Sequence, residues 1–135
     1  MSDKLFPGDP TTREFARAIY KEVAELPIIS PHGHVDPNLL LANKPFGNPA
    51  ELFIYFDHYV TRLLHAEGID LDLITKSAKD AKKAWQILCS NWHLFAGTNS
   101  GYWLTYILEN FFNIEELPSS ENADLLYEKI QAKLY

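Results

Sequence analysis

Leu26-Pro27-Ile28-Ile29-Ser30-Pro31-His32-Gly33-His34-Val35-Asp36-Pro37 is the stretch on which the reading of this chain turns. An apolar pair, Ile28 and Ile29, runs into two histidines separated by one glycine, and Pro31 and Pro37 on either side argue against a helix. The pattern predicts a strand that ends at a polar mouth. In an extended chain residues i and i+2 share a face about 6.6 Å apart, so His32 and His34 can converge on one ion. Zinc or a similar borderline cation accepts imidazole nitrogen at about 2.0–2.1 Å, and the missing side chain of Gly33 leaves room beside the backbone. Two loop histidines next to prolines would give the same letters, so the pair alone is a weak signal.

The rest of the composition narrows what those histidines can serve. The 135 residues fit one domain and suffice to bury about two-thirds of the surface an unfolded chain exposes. A net charge of −6 without any Lys/Arg run argues against a sequence-independent grip on nucleic acid. No apolar run approaches the length of a bilayer span, and Met1-Ser2-Asp3-Lys4 is not followed by an apolar signal core, so a cytoplasmic protein without membrane contact is expected. Cys89 is the single cysteine, which excludes an internal disulfide and a cysteine-based zinc site. A metal here must be held by histidine and carboxylate.

Outside the opening stretch the periodicity is helical. Thr11 with Glu14 reads as a capping box for a helix running to about Leu26, with Phe15, Ile19, Val23 and Leu26 on its apolar face. Leu39-Leu40-Leu41 reads as a single turn. Asn48-Pro49-Ala50-Glu51 opens a second helix, Asp57 re-caps it after a bend, and Gly68 ends it. Val60, Leu63 and Leu64 face a core there, whereas His58, Arg62 and His65 form a separate polar stripe. Ser77 and Asp80 cap a third long helix whose Ala81, Trp85, Leu88, Trp92 and Phe95 repeat with the spacing of a buried seam. Cys89 falls among them as a small core residue. A helix over 103–112 stops at Asn113 in the left-handed conformation, and a last one after Pro118 buries Leu125, Leu126, Ile130 and Leu134.

Five or six helices and one strand make a mainly α chain with an anomaly. A lone strand has unpaired backbone groups on both edges. Either Ile28 and Ile29 lie in a loop among helices, or their strand partners belong to polypeptide outside these 135 residues.

The stretch 26–37, followed by Phe46-Gly47-Asn48-Pro49-Ala50-Glu51-Leu52 and Asp57-His58-Tyr59-Val60-Thr61-Arg62, resembles the N-terminal part of uronate isomerase, a family of the amidohydrolase superfamily. The likeness continues through Ala96-Gly97-Thr98, Trp103-Leu104 and Phe112-Asn113-Ile114. It implies the first part of a metal-dependent (β/α)₈ barrel, with residues 1–47 carrying a leading helix, the first barrel strand and the His-Gly-His turn, and residues 48–135 forming a helical excursion after that strand. In such barrels the site lies at the C-terminal ends of the strands, where His32 and His34 would fall.

Carried over position by position, the resemblance makes His32 and His34 metal ligands, with zinc the expected ion and His32 also counted as catalytic. It makes Tyr59 a proton-transfer residue and Arg62 a substrate contact. Val60-Thr61 stands where many relatives have Lys-Trp. The reaction implied is the aldose–ketose isomerisation of hexuronates, glucuronate to fructuronate and galacturonate to tagaturonate, in a full-length protein of which this segment alone is inactive. A homo-oligomer or the remainder of the barrel is the expected partner. Two other readings stand beside it: a metal-dependent hydrolase of the same superfamily, which needs an activated water rather than a proton shuttle, and a non-catalytic helical module that binds protein. Asp57-His58-Tyr59 favours the isomerase, while Tyr59 as a half-buried aromatic, Arg62 as a solvated ion-pair partner and Asp57 as a helix cap are the plain structural alternatives.

Overall fold

The computed structural model describes residues 3–76 and 78–134. The chain divides into two compact units, the first ending at Gly33 and the second beginning at His34.

In the first unit a short 3₁₀ turn over Asp3–Leu5 precedes helix α1, Pro10–Val23. The start of α1 corrects the expected capping box. Asp9 is the N-cap, its carboxylate accepting from the Thr12 backbone N–H at 2.7 Å, and Pro10 takes the first helical position, where its missing N–H costs nothing. Those bonds hold the Asp9 carboxyl below its usual value. The helix also stops short of Leu26. Phe15, Ile19, Val23 and Leu26, expected to bury one face, are all exposed, and Phe6 packs edge-on against Tyr20.

The strand expected at Ile28-Ile29 is not formed; no strand occurs among the described residues. Ile28 is 93% exposed and Ile29 89%, and the backbone finds no ladder to join. Extended backbone is stable as a strand only when neighbouring strands accept and donate along it, and local apolar character cannot replace that. Immediately after it the Ser30 hydroxyl donates to the His32 carbonyl at 2.6 Å, a local bond that turns the chain.

The second unit is helical. Helix α2, Pro37–Ala42, is capped by Asp36 and ends at Asn43 in the left-handed conformation. Helix α3, Pro49–Phe53, begins at the expected Asn48 cap, whose side chain accepts from Glu51 N–H, while Glu51 reaches back to the Gly47 N–H. Helix α4, His58–Ala66, is capped by Asp57 as expected, and Gly68 follows at φ +96°. Helix α5, Ala81–Ser90, is capped by Asp80; Ser77, the other half of the expected cap, lies outside the described residues. The buried seam is real, but the helix is not continuous: Trp92–Phe95 is a 3₁₀ turn, entered through Asn91, whose side chain donates to the Ile87 carbonyl. Helix α6, Asn99–Ile107, starts at Thr98, earlier than expected, and continues as a π-helical turn over Leu108–Phe112 that ends at left-handed Asn113. Helix α7, Ala123–Gln131, buries Leu126 and Ile130 but leaves Leu125 59% exposed. The next residue, Leu126, takes the inward position, and Leu125, turned about 100° from it around the helix, points toward solvent.

Trp85 is the centre of packing. Its ring is fully buried, sits 5.5 Å from Phe53 of α3, and donates its indole N–H to the Ala123 carbonyl at the start of α7 at 2.9 Å. Phe53 in turn lies 6.0 Å from Phe112. Lys82 adds an exposed clasp from α5 to Glu128 on α7, and Lys133 donates to the Phe112 carbonyl, capping the end of the π turn.

Two predictions come from this packing. Alanine at Gly101 gains helix propensity of about 1 kcal/mol, but its Cβ would overlap the Phe95 carbonyl oxygen and lie 2.9 Å from the carbonyl carbon. A backbone group cannot swing aside, so Gly101→Ala should destabilise the chain by about 1–3 kcal/mol in chemical denaturation; a stabilised variant would refute the close approach. Burial pushes the Cys89 thiol up to about 12. The native protein at pH 8 should therefore be inert to aromatic disulfide reagents and should react fully once unfolded, and fast native labelling would show that Cys89 is not in the core.

Candidate functional site

The candidate site residues are set by the first turn of α4. Asp57 stays extended and its carboxylate accepts from the Tyr59 backbone N–H at 2.8 Å, which fixes where the helix begins. His58 and Tyr59 are the first two helical residues and Arg62 follows one turn later. The inner side of the same helix is anchored by buried Val60, Thr61 and Leu64. The outer side is therefore held by core packing although its own residues are exposed.

Three side chains meet Tyr59. The His34 ring is nearly parallel to it, tilted 7° with centroids 5.6 Å apart. The His58 ring lies 4.2 Å from Tyr59 and 4.6 Å from His34. The Arg62 guanidinium carbon is 4.5 Å from the Tyr59 ring centroid, within the range of a cation–π contact. Tyr59 itself is 41% exposed, so ring contacts rather than burial define its surroundings. A phenol with two imidazoles and a guanidinium beside it can pass a proton and receive an anionic group.

Of the residues singled out in the sequence, the second unit brings His34, Tyr59 and Arg62 together. His32 is an exposed residue of the first unit whose carbonyl accepts the Ser30 hydroxyl. His58, which its polar stripe gives no role, joins the cluster in the structure. Helical periodicity does not reveal this, because His58 and Tyr59 are adjacent, and only the N-terminal position in α4 lets both rings meet His34. His65 is separate: its Nδ1 donates to the Ile69 carbonyl at 2.8 Å, an interaction of the chain just after α4.

The donor set bears on the expected metal. Two imidazoles suit zinc or another borderline cation, yet catalytic zinc commonly takes three protein ligands. Among the described residues no group of three or more His, Cys, Asp or Glu side chains stands where it could hold one ion. Two imidazoles would therefore be only part of a ligand set.

Comparison with known proteins places these residues in context. A family model described as glucuronate isomerase matches residues 10–135. The chain is 42% identical over 134 residues to the uronate isomerase of Sphingopyxis alaskensis, covering 98% of this chain and 28% of that protein. It is 44% identical over 132 residues to the uronate isomerase of Corynebacterium efficiens, covering 95% of this chain and again 28% of the relative. It thus spans little more than a quarter of the curated relatives it matches. The crystal structure of glucuronate isomerase from Caulobacter crescentus superposes with a TM-score of 0.85 at 38% identity, over 99% of this chain and 29% of that one. The uronate isomerase structure from Thermotoga maritima gives 0.81 at 29% identity, over 99% and 28%. The fold is therefore shared with these structures, and the chain belongs to the glucuronate isomerase family.

Proposed function

We propose that these residues form the opening segment of a cytoplasmic hexuronate isomerase that converts glucuronate to fructuronate and galacturonate to tagaturonate. In this reading residues 48–135 are a helical excursion from a (β/α)₈ barrel completed by further polypeptide. The observation that carries it is the meeting of His34, His58 and Arg62 around Tyr59, supported by the family match over residues 10–135.

Aldose–ketose isomerisation removes the proton from C2 of the open-chain sugar acid and protonates the carbonyl oxygen at C1 to give an enediol; C1 then gains a proton while the O2 hydroxyl loses one, leaving the ketone at C2. Each transfer needs a positioned acid or base. Tyr59 is the residue assigned to carry a proton, with its hydroxyl presented from a helix anchored by Val60 and Leu64. Arg62 supplies positive charge for the substrate carboxylate, next to the tyrosine that works on the other end of the sugar. His32 and His34 are assigned to a divalent ion, with zinc the expected metal and the remaining ligands supplied by later barrel strands. When bound, the ion would polarise substrate oxygens and stabilise developing charge. A homo-oligomer is the expected assembly. Hydrolysis by the same superfamily chemistry would require an activated water, and nothing in the Tyr59 cluster favours it over proton relay.

The proposal separates metal binding from proton transfer, which gives its test. Tyr59→Phe keeps the ring and its contacts and removes the hydroxyl. In the complete enzyme it should lower turnover by about 10²–10⁴-fold with metal content unchanged. His34→Ala, by contrast, should lower metal content measured by elemental analysis. Near-normal turnover of Tyr59→Phe would leave the mechanism without its proton carrier.

A further inference from the structure

Tyr59 cannot owe its ring orientation to burial, since it is 41% exposed. What surrounds the ring is His34, His58 and the Arg62 guanidinium. These neighbours differ in what holds them. His34 lies outside α4, before α2 begins, and His58 occupies the first turn of α4, where the backbone depends on the Asp57 cap. Arg62 follows one turn into α4, flanked by buried Thr61 and Leu64, and it stands three residues after Tyr59, the spacing at which side chains on one helix face meet. The most firmly anchored backbone in the cluster thus carries the group that lies over the tyrosine ring.

We infer that Arg62 is a positioning residue for Tyr59: its guanidinium lies over the phenol ring and holds the hydroxyl in the direction that proton transfer requires. The inference rests on the proton-transfer role given to Tyr59 above and adds to the charge that Arg62 offers the substrate. A planar, delocalised guanidinium stacks on an aromatic face better than a compact ammonium, so arginine suits this position better than lysine. Because the interaction is with the ring and not the hydroxyl, a phenylalanine at position 59 would retain it.

The test is a kinetic cycle in the complete enzyme together with a spectroscopic reading of this chain. A misplacement of about 1 Å can cost about 10²-fold in rate, so Arg62→Gln should lower kcat by about 10–100-fold, in addition to the rise in KM that loss of the charge facing the substrate carboxylate brings. Arg62→Lys should recover part of the loss. In a Tyr59→Phe background Arg62→Gln should cost almost nothing further in kcat, since there is no hydroxyl left to aim. In NMR spectra of the 135-residue chain the Arg62 δ-protons should be shielded by the Tyr59 ring and should move downfield in Tyr59→Leu. A raised KM with unchanged kcat would make Arg62 a substrate contact only, and an undiminished kcat loss in the Tyr59→Phe background would show that it acts independently of Tyr59; either overturns the inference. Unshielded Arg62 protons would overturn its geometry. Normal turnover of Tyr59→Phe with Arg62 intact would instead remove the proton-transfer reading, and this inference with it.

Discussion

The indole N–H of Trp85 and its single acceptor, the Ala123 carbonyl, constrain everything else in the helical unit. A buried donor without an acceptor costs about 1–3 kcal/mol, so the ring can stay inside only while α7 begins where it does. That bond fixes α5 against α7, and the ring face then selects Phe53, which brings α3 to the same centre and Phe112 behind it. Helix α4 joins through Val60 and Leu64, both without exposed surface. The exposed side of α4 inherits its position from this core. Tyr59 and Arg62 are surface residues on a helix that cannot rotate without unpacking Leu64.

Polar contacts around the core close the unit without adding much individually. Lys82 with Glu128 and Lys129 with Glu116 are solvent-exposed pairs, of a kind that contributes little to stability because water and salt screen them. Their use is registration, because they join the wet faces of elements already packed inside. The π turn over Leu108–Phe112 has a related role: it swings Phe112 inward while Phe111 remains 68% exposed, and left-handed Asn113 ends it. The Tyr55 hydroxyl departs from this closure, a buried oxygen without a hydrogen-bond partner among the described residues, and burial pushes its titration upward.

The second unit was largely legible in the sequence, because its signals are local. Asn48, Asp57 and Asp80 cap helices through their own side chains, Asn113 adopts the left-handed turn assigned to it, and Trp85, Leu88 and Phe95 are buried as their spacing implied. The misreadings share a cause. Ile28-Ile29 has the letters of a strand, but a strand is a pairing, and pairing partners are not encoded in the segment itself. Phe15 and Ile19 likewise show an apolar face without any statement of what covers it. The break between Ser90 and Trp92 lies inside an unbroken apolar period, and the Asn91 side chain's bond to Ile87 is too weak a local signal to read in advance. At the candidate site Tyr59 was found through a motif, whereas the ring contacts of His58 depend on where α4 starts in space.

The central claim is that the helical unit folds around Trp85 as one cooperative body that carries the Tyr59 helix, while residues 26–33 join no sheet. Native-state hydrogen exchange on the 135-residue chain tests it directly. Amides of α3, α4, α5 and α7 should share a common high protection that collapses together in Trp85→Ala, and those of Ile28 and Ile29 should exchange at nearly the unprotected rate. Strong protection at Ile28 and Ile29, or an α4 that exchanges freely while α5 and α7 stay protected, would contradict the account.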